Sequence, residues 1–212
     1  MKLDFKKLEK QYYQSKTIPT IVNVEKMKFI TFYGKGNPGE DNSEFMEGIS
    51  LLYPLAYTLS MSYKSEYKIN NFQNFVVAPL EGYWWQEGIN GYDNTRKDLF
   101  RFILKIRLPE FINESDFAWA KEKASLKNKD KDYNKITFEE HEEGLVVQCL
   151  HIGAYDDEFI TTKKMEEYLK DEYFLDFSDK RHHHEIYLSD NRKTEQSKLK
   201  TILRHPIKIN VK

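Results

Sequence analysis

The chain has 212 residues, a net charge of −1 and 32% charged residues, so no global field draws it to nucleic acid or to a membrane surface. Its charged start, Met1 to Lys7, is no secretory signal, no apolar run approaches the ~20 residues of a membrane span, and the single Cys149 gives no disulfide framework. A soluble cytoplasmic protein is expected, one rich in rings: 14 Tyr, 14 Phe and 3 Trp.

Leu3, Phe5, Leu8 and Tyr12 are spaced for one helical face, which predicts a helix over 2–14. Residues 27–34 alternate as a strand. Asp41-Asn-Ser-Glu44 supplies cap chemistry for a helix over about 43–63, with Phe45, Ile49, Leu52, Ala56 and Leu59 on its inner stripe. Residues 75–79 and 83–86 read as a strand bent at Pro79 and Gly82, 99–108 as the next strand, and 113–128 as a helix carrying Phe117 and Trp119. After the charged connector 127–132, residues 136–142 and 145–152 form a hairpin around Glu143-Gly144. Residues 156–173 make a second long helix, with Met165, Tyr168 and Leu169 inward, and 183–189 and 201–207 are the closing strands.

The chain repeats itself. Lys26-Met-Lys-Phe-Ile-Thr-Phe-Tyr-Gly-Lys-Gly36 is a strand ending in glycine before an acidic helix start, and 143–153 does the same, displaced by 117 positions from Gly36 to Gly153. Each copy later closes on Arg-x-Pro, at Arg107-Leu-Pro109 and Arg204-His-Pro206. The expected architecture is a single α+β domain of two β-α-β-β repeats, about 20–111 and 135–209, joined by a linker helix at about 113–128. Antiparallel sheets would carry their helices on one face, with a ligand groove between the halves.

Gly34-Lys-Gly-Asn-Pro-Gly39 matches G-x-G-x-x-G, but the following strands read as antiparallel and no phosphate-loop Lys-Ser/Thr follows, so glycines for a tight turn are expected. In His182-His183-His184, alternation puts His183 on the opposite face from the other two, and no Cys/His pair has zinc spacing. No metal and no cofactor are expected. Cys149 has the apolar neighbours of a packed strand residue, and no Gly-x-Ser-x-Gly elbow occurs.

Glu185-Ile186-Tyr187 is the sharper signal. In a strand Glu185 and Tyr187 project from one face, about 7 Å apart, with Ile186 directed into the helix-covered core. Tyr33, Trp84, Trp85, Trp119 and Tyr155 lie on elements expected to border the same groove. Alternation sends Trp84 and Trp85 to opposite sides, and either one can face it.

Residues 182–206, from the histidine run through Glu-Ile-Tyr to Leu-Arg-His-Pro, resemble the C-terminal signature of stand-alone GyrI-like small-molecule-binding proteins. So do Pro79-Leu-Glu-Gly-Tyr-Trp-Trp85 and residues 147–157, and the resemblance covers nearly the whole chain. It implies a pseudo-twofold tandem of strand–helix–strand–strand modules around a groove for planar aromatic or cationic xenobiotics, with Glu185 as the ligand-contacting glutamate. A stand-alone subfamily that the chain resembles hydrolyses cyclopropanoid DNA-alkylating agents within an aromatic cage. On that basis Glu185 is the candidate base, Tyr187 and Tyr155 are candidate donors, and Tyr33, Trp84, Trp85 and Trp119 are candidate cage walls. The partner is then a planar aromatic small molecule, with neither nucleic acid nor membrane. Two alternatives stand beside hydrolysis: sequestration without chemistry, and an interaction module that blocks a protein target.

Overall fold

A computed structural model of the chain describes residues 2–89, 93 and 95–211. In chain order the elements are α1 (Phe5–Leu8), α2 (Lys10–Tyr13), β1 (Thr20–Val24), β2 (Met27–Lys35), α3 (Glu44–Ser60), β3 (Leu80–Gln86), β4 (Phe100–Leu108), α4 (Glu114–Lys127), β5 (Ile136–His141), β6 (Gly144–Ile152), α5 (Glu158–Leu169), β7 (Tyr173–Leu175), β8 (His183–Tyr187) and β9 (Lys200–Ile209). The strand pairings described below are all antiparallel, and the fold is α+β. Among the described residues, no helix is long and apolar enough to cross a membrane.

The chain divides into two compact units, neither of which is one continuous stretch. The first comprises Met1–Phe5, Met27–Ala78 and Trp85–His141; the second comprises Lys6–Lys26, Pro79–Trp84 and Glu142–Lys212.

In the first unit β2 pairs with β4 on one side and β5 on the other. The helix α3 starts where Ser43 accepts a hydrogen bond from the Met46 N–H, and packs Leu51, Leu52, Leu55 and Leu59 into the core. It lies on β2 and β4, where Ile30, Phe32, Phe102, Leu104 and Ile106 are buried. The helix α4 opens with a capping box between Asn113 and Asp116. In the second unit the order is β1-β6-β9-β8, with β8 pairing Glu81–Trp84 of β3 and β7 pairing β9. The helix α5 sets Met165 and Leu169 against Val147, Cys149, Leu203 and Ile207.

The glycines that close the two similar sequence segments have like backbone roles. Gly36 and Gly153 both have positive φ, +93° and +146°, where a β-carbon is strained. The Gly36 N–H donates to the Phe100 carbonyl, and the Gly153 N–H donates to the Leu199 carbonyl, so each glycine ties a strand end to the start of its antiparallel partner. The two Arg-x-Pro arginines, Arg107 and Arg204, are both buried, each over an aromatic ring, Phe5 and Tyr12.

Several elements differ from the sequence expectation. The predicted helix over 2–14 is two short turns broken at Glu9. Residues 75–79 are outside β3, which begins only after Pro79, a residue with no N–H to give a ladder. The predicted 136–152 hairpin does not form. β5 pairs with β2, with Ile136 and Phe138 opposite Phe32 and Ile30, while β6 pairs with β1 and β9. The two-residue link at Glu142 and Glu143 therefore joins strands that pair with different partners. The Gly34–Gly39 segment is a turn in which the Gly39 N–H donates to Asn37, and β2 has antiparallel neighbours on both sides, so no nucleotide-binding unit exists there.

Candidate functional site

Alternation along β8 places His183, Glu185 and Tyr187 on one face and His184 and Ile186 on the other. Glu185 is in register with Leu203, and Leu203 packs under α5, so the Glu185 face is the one the helix covers. The sequence pattern had assigned Ile186 to the helix-covered side; it is buried on the opposite face, in register with Ile202. The reason is that α5 starts at Glu158, whose side chain reaches the carboxylate strand itself.

The groups on this face are coupled. The Trp84 indole N–H donates to the Tyr187 hydroxyl at 2.9 Å, and burial, helped by the nearby Glu185 carboxylate, raises the Tyr187 phenol. The Tyr155 ring stands edge-on to Tyr187 at 5.9 Å. Glu185 Oε1 lies 3.2 Å from His183 Nε2, Glu158 Oε2 lies 3.7 Å from the same nitrogen, and His183 Nδ1 is 2.8 Å from His205 Nε2. Gly82 faces Glu185 across the β3–β8 pair and makes room for the rings.

Burial and the neighbouring Glu185 charge push the Glu158 carboxyl up to about 8, although His183 opposes the rise. Burial would lower His183, but Glu158 and Glu185 outweigh it and hold the imidazole at about 10. His205 goes the other way, well below the ordinary histidine range, through burial and the adjacent His183 cation. A charged His183 therefore donates from Nδ1 to a neutral His205 and from Nε2 toward the carboxylates. Burial and Glu185 raise both phenols, Tyr155 to about 12 and Tyr187 well above its ordinary value, so both remain hydrogen-bond donors at neutral pH.

The opposite face of the same strands holds a buried network. His184 lies between Glu143 Oε1 at 2.9 Å and Glu81 Oε2 at 3.2 Å, under the stacked Tyr83 ring at 4.0 Å. Arg204 donates to Glu143, Gln148 and the Tyr12 carbonyl, and the Tyr13 hydroxyl donates to Glu81. This network fastens the α2 segment to the sheet.

Of the other residues singled out by sequence, Tyr33, Trp85 and Trp119 belong to the first unit. Tyr33 is exposed and donates to Glu139, and Trp119 stacks on Tyr67 with centroids 4.4 Å apart. Trp84, Tyr155, Glu185 and Tyr187 are gathered in the second. Sequence reasoning passed over His183 as a partner of Glu185, although period-2 alternation puts them together. It also passed over Glu158 and the space-making role of Gly82, which only the tertiary fold reveals.

The family model described as the GyrI-like small molecule binding domain matches residues 18–208. The chain belongs to this family. A Listeria innocua structure described as a hydrolase is similar to this GyrI-like protein at 36% identity and TM-score 0.89, covering 98% of this chain and 100% of its own. An uncharacterised conserved protein from Listeria innocua is similar at 39% identity and TM-score 0.92 over the same shares. The EcmrR C-terminal domain, at 12% identity, TM-score 0.50 and coverage of 90% and 96%, shares the fold. No curated protein sequence matches the chain.

Proposed function

We propose that this GyrI-like protein binds planar aromatic compounds, cationic ones among them, against Trp84, Tyr155 and Tyr187, and hydrolyses cyclopropanoid DNA-alkylating compounds there. The observation that carries the reading is the run Trp84–Tyr187–Glu185 with Tyr155 edge-on: rings, phenols and a carboxylate on connected elements. The family's small-molecule binding and the hydrolase description of a 36%-identical relative support it.

A cyclopropane conjugated to a dienone opens when a water oxygen bonds to a ring carbon. The carbon–carbon bond breaks, and its electron pair passes through the dienone to the carbonyl oxygen, which stays on the aromatised ring and becomes a phenol on protonation. The aromatic walls hold the flat ligand near reacting geometry, each stacked ring contributing about 1 kcal/mol beyond burial. Glu185, oriented by His183 and Tyr187, positions the water and takes its proton. Tyr155, a protonated phenol, donates to the developing phenolate.

The test is turnover of a cyclopropanoid compound in molar excess, followed by absorbance. The wild-type chain consumes all of it, and Glu185→Gln keeps the affinity while turnover falls about 10²–10⁴-fold. Consumption that stops at one equivalent makes the protein a sequestering one. Unchanged turnover in Glu185→Gln removes Glu185 from the reaction.

A further inference from the structure

The proposed reaction uses Glu185 with His183 as its orienting neighbour, and gives no part to Glu158 beside them. The ligand-type atoms of the three side chains lie within 4.8 Å of one another. They are half-buried to buried, unlike the solvated acidic clusters of a protein surface.

Two observations give this trio a direction. First, His183 Nδ1 is engaged by His205 Nε2 at 2.8 Å, which turns Nε2 toward both carboxylates, at 3.2 and 3.7 Å. An orienting partner on the second nitrogen is what metal-ligating histidines carry. Second, Glu158 is only 9% exposed, and its Oε1 has no hydrogen-bond partner among the described residues. A buried carboxyl oxygen without a hydrogen-bond partner is costly unless a further group meets it.

We propose that Glu158, His183 and Glu185 bind a divalent first-row cation of the zinc type through His183 Nε2 and one oxygen from each carboxylate. The ion takes the position of the Nε2 proton and binds the Glu158 carboxyl, one oxygen of which has no other partner among the described residues. One imidazole and two carboxylates suit zinc or manganese, and three protein ligands leave a position for water. Bonds of about 2.0–2.2 Å place tetrahedral ligand atoms about 3.3–3.5 Å apart. The His183–Glu185 separation of 3.2 Å is close to this, the 3.7 Å to Glu158 is slightly longer, and ion binding draws together three ligand atoms that already lie within 4.8 Å of one another. The sulfur of Cys149 is no competitor, since it lies in the apolar cluster with Met165 and Leu203.

This inference does not rest on the proposed hydrolysis, and it is read without a turnover substrate. The full chain is stripped with a chelator, dialysed and titrated calorimetrically with Zn²⁺, then with Co²⁺ under visible absorption. One ion binds per chain, Co²⁺ gives the intense d–d bands of a low-coordinate nitrogen–oxygen site, and Zn²⁺ raises the melting temperature. Glu158→Gln and Glu185→Gln each weaken binding at least tenfold and abolish the Zn²⁺-induced rise, while their own metal-free melting transitions show whether they fold. His182→Gln, a control for the adjacent histidine run, binds as wild type. Absence of stoichiometric binding overturns the site. So does wild-type affinity in both folded glutamine variants, which would place the ion on other histidines. Because Glu185 cannot ligate an ion and take a proton from water with the same lone pair, Zn²⁺ also inhibits any turnover that is found.

Discussion

Gly82 lies directly across from Glu185 in the β3–β8 pair, and the volume a side chain would fill there is already occupied. A β-carbon on Gly82 would meet Trp84 Nε1 at 2.6 Å and the Tyr187 hydroxyl at 2.9 Å, closer than real β-carbons approach. Gly82→Ala must therefore push the indole and the phenol apart. We expect a stability loss of about 1–3 kcal/mol by denaturant unfolding, the range for overpacking a filled site, with a shift in tryptophan emission. A variant of wild-type stability and emission would mean that the two rings are free to move, and the rigid wall would go with them.

The indole–phenol hydrogen bond can be weighed by a double-mutant cycle. Tyr187→Phe removes the acceptor of the Trp84 N–H. Trp84 is only 8% exposed, so losing a neutral hydrogen bond there costs about 1–2 kcal/mol. Trp84→Phe and Tyr187→Phe should show a coupling of about 1 kcal/mol in urea unfolding. Strict additivity of the two changes would show that the contact contributes nothing to the folded state.

How far the site was readable from sequence follows from period and distance along the chain. Glu185 and Tyr187 were paired because strand alternation is local, and the same rule reaches His183, two positions earlier. Glu158 carries no such signal: it is an ordinary acidic residue at a helix start until α5 sets it against β8. The side of the sheet that α5 covers was equally hidden, since alternation separates Glu185 from Ile186 without saying which faces the helix. Strand pairing failed for the same reason at 136–152, where a two-residue link suggested a hairpin but β5 pairs with β2 and β6 with β1 and β9. The short strands β1 and β7 went unread because five and three residues leave too little pattern. The α+β class, α3, β2 and β4 were legible because each is long or strongly periodic.

Acid should act on the segment that leads into β8. Asp176 accepts from Arg181 at 2.5 Å and pairs with Lys208 at 2.7 Å, while Arg181 also donates to the Glu143 and Leu145 carbonyls. Burial would raise the Asp176 carboxyl, but Lys208 and Arg181 hold it below the ordinary aspartate range. A folded value below the unfolded one stabilises the protein above about pH 4 and loses that contribution as the pH falls through the folded value. Asp176→Asn should therefore cost about 1 kcal/mol at pH 7, and its gap from wild type should narrow below about pH 4. A gap independent of pH would show that the asparagine disturbs packing and not charge.

Cys149 provides a probe of how firmly α5 stays on its sheet. It is 1% exposed, packed with Met165, Leu169 and Leu203, and burial pushes its thiol up despite Lys164. Neither access nor thiolate character favours reaction, so a thiol reagent should label the native chain slowly and the unfolded chain at once. Labelling then reports the population in which α5 has lifted or the unit has unfolded. Met165→Ala removes the fully buried side chain that covers the sulfur and should destabilise by about 2–5 kcal/mol. The labelling rate should rise with it, by about tenfold for each 1.4 kcal/mol lost, if opening is global. Rapid labelling of the wild-type chain would show that the helix exchanges freely, and Glu158, carried on its first turn, would then not be held against His183.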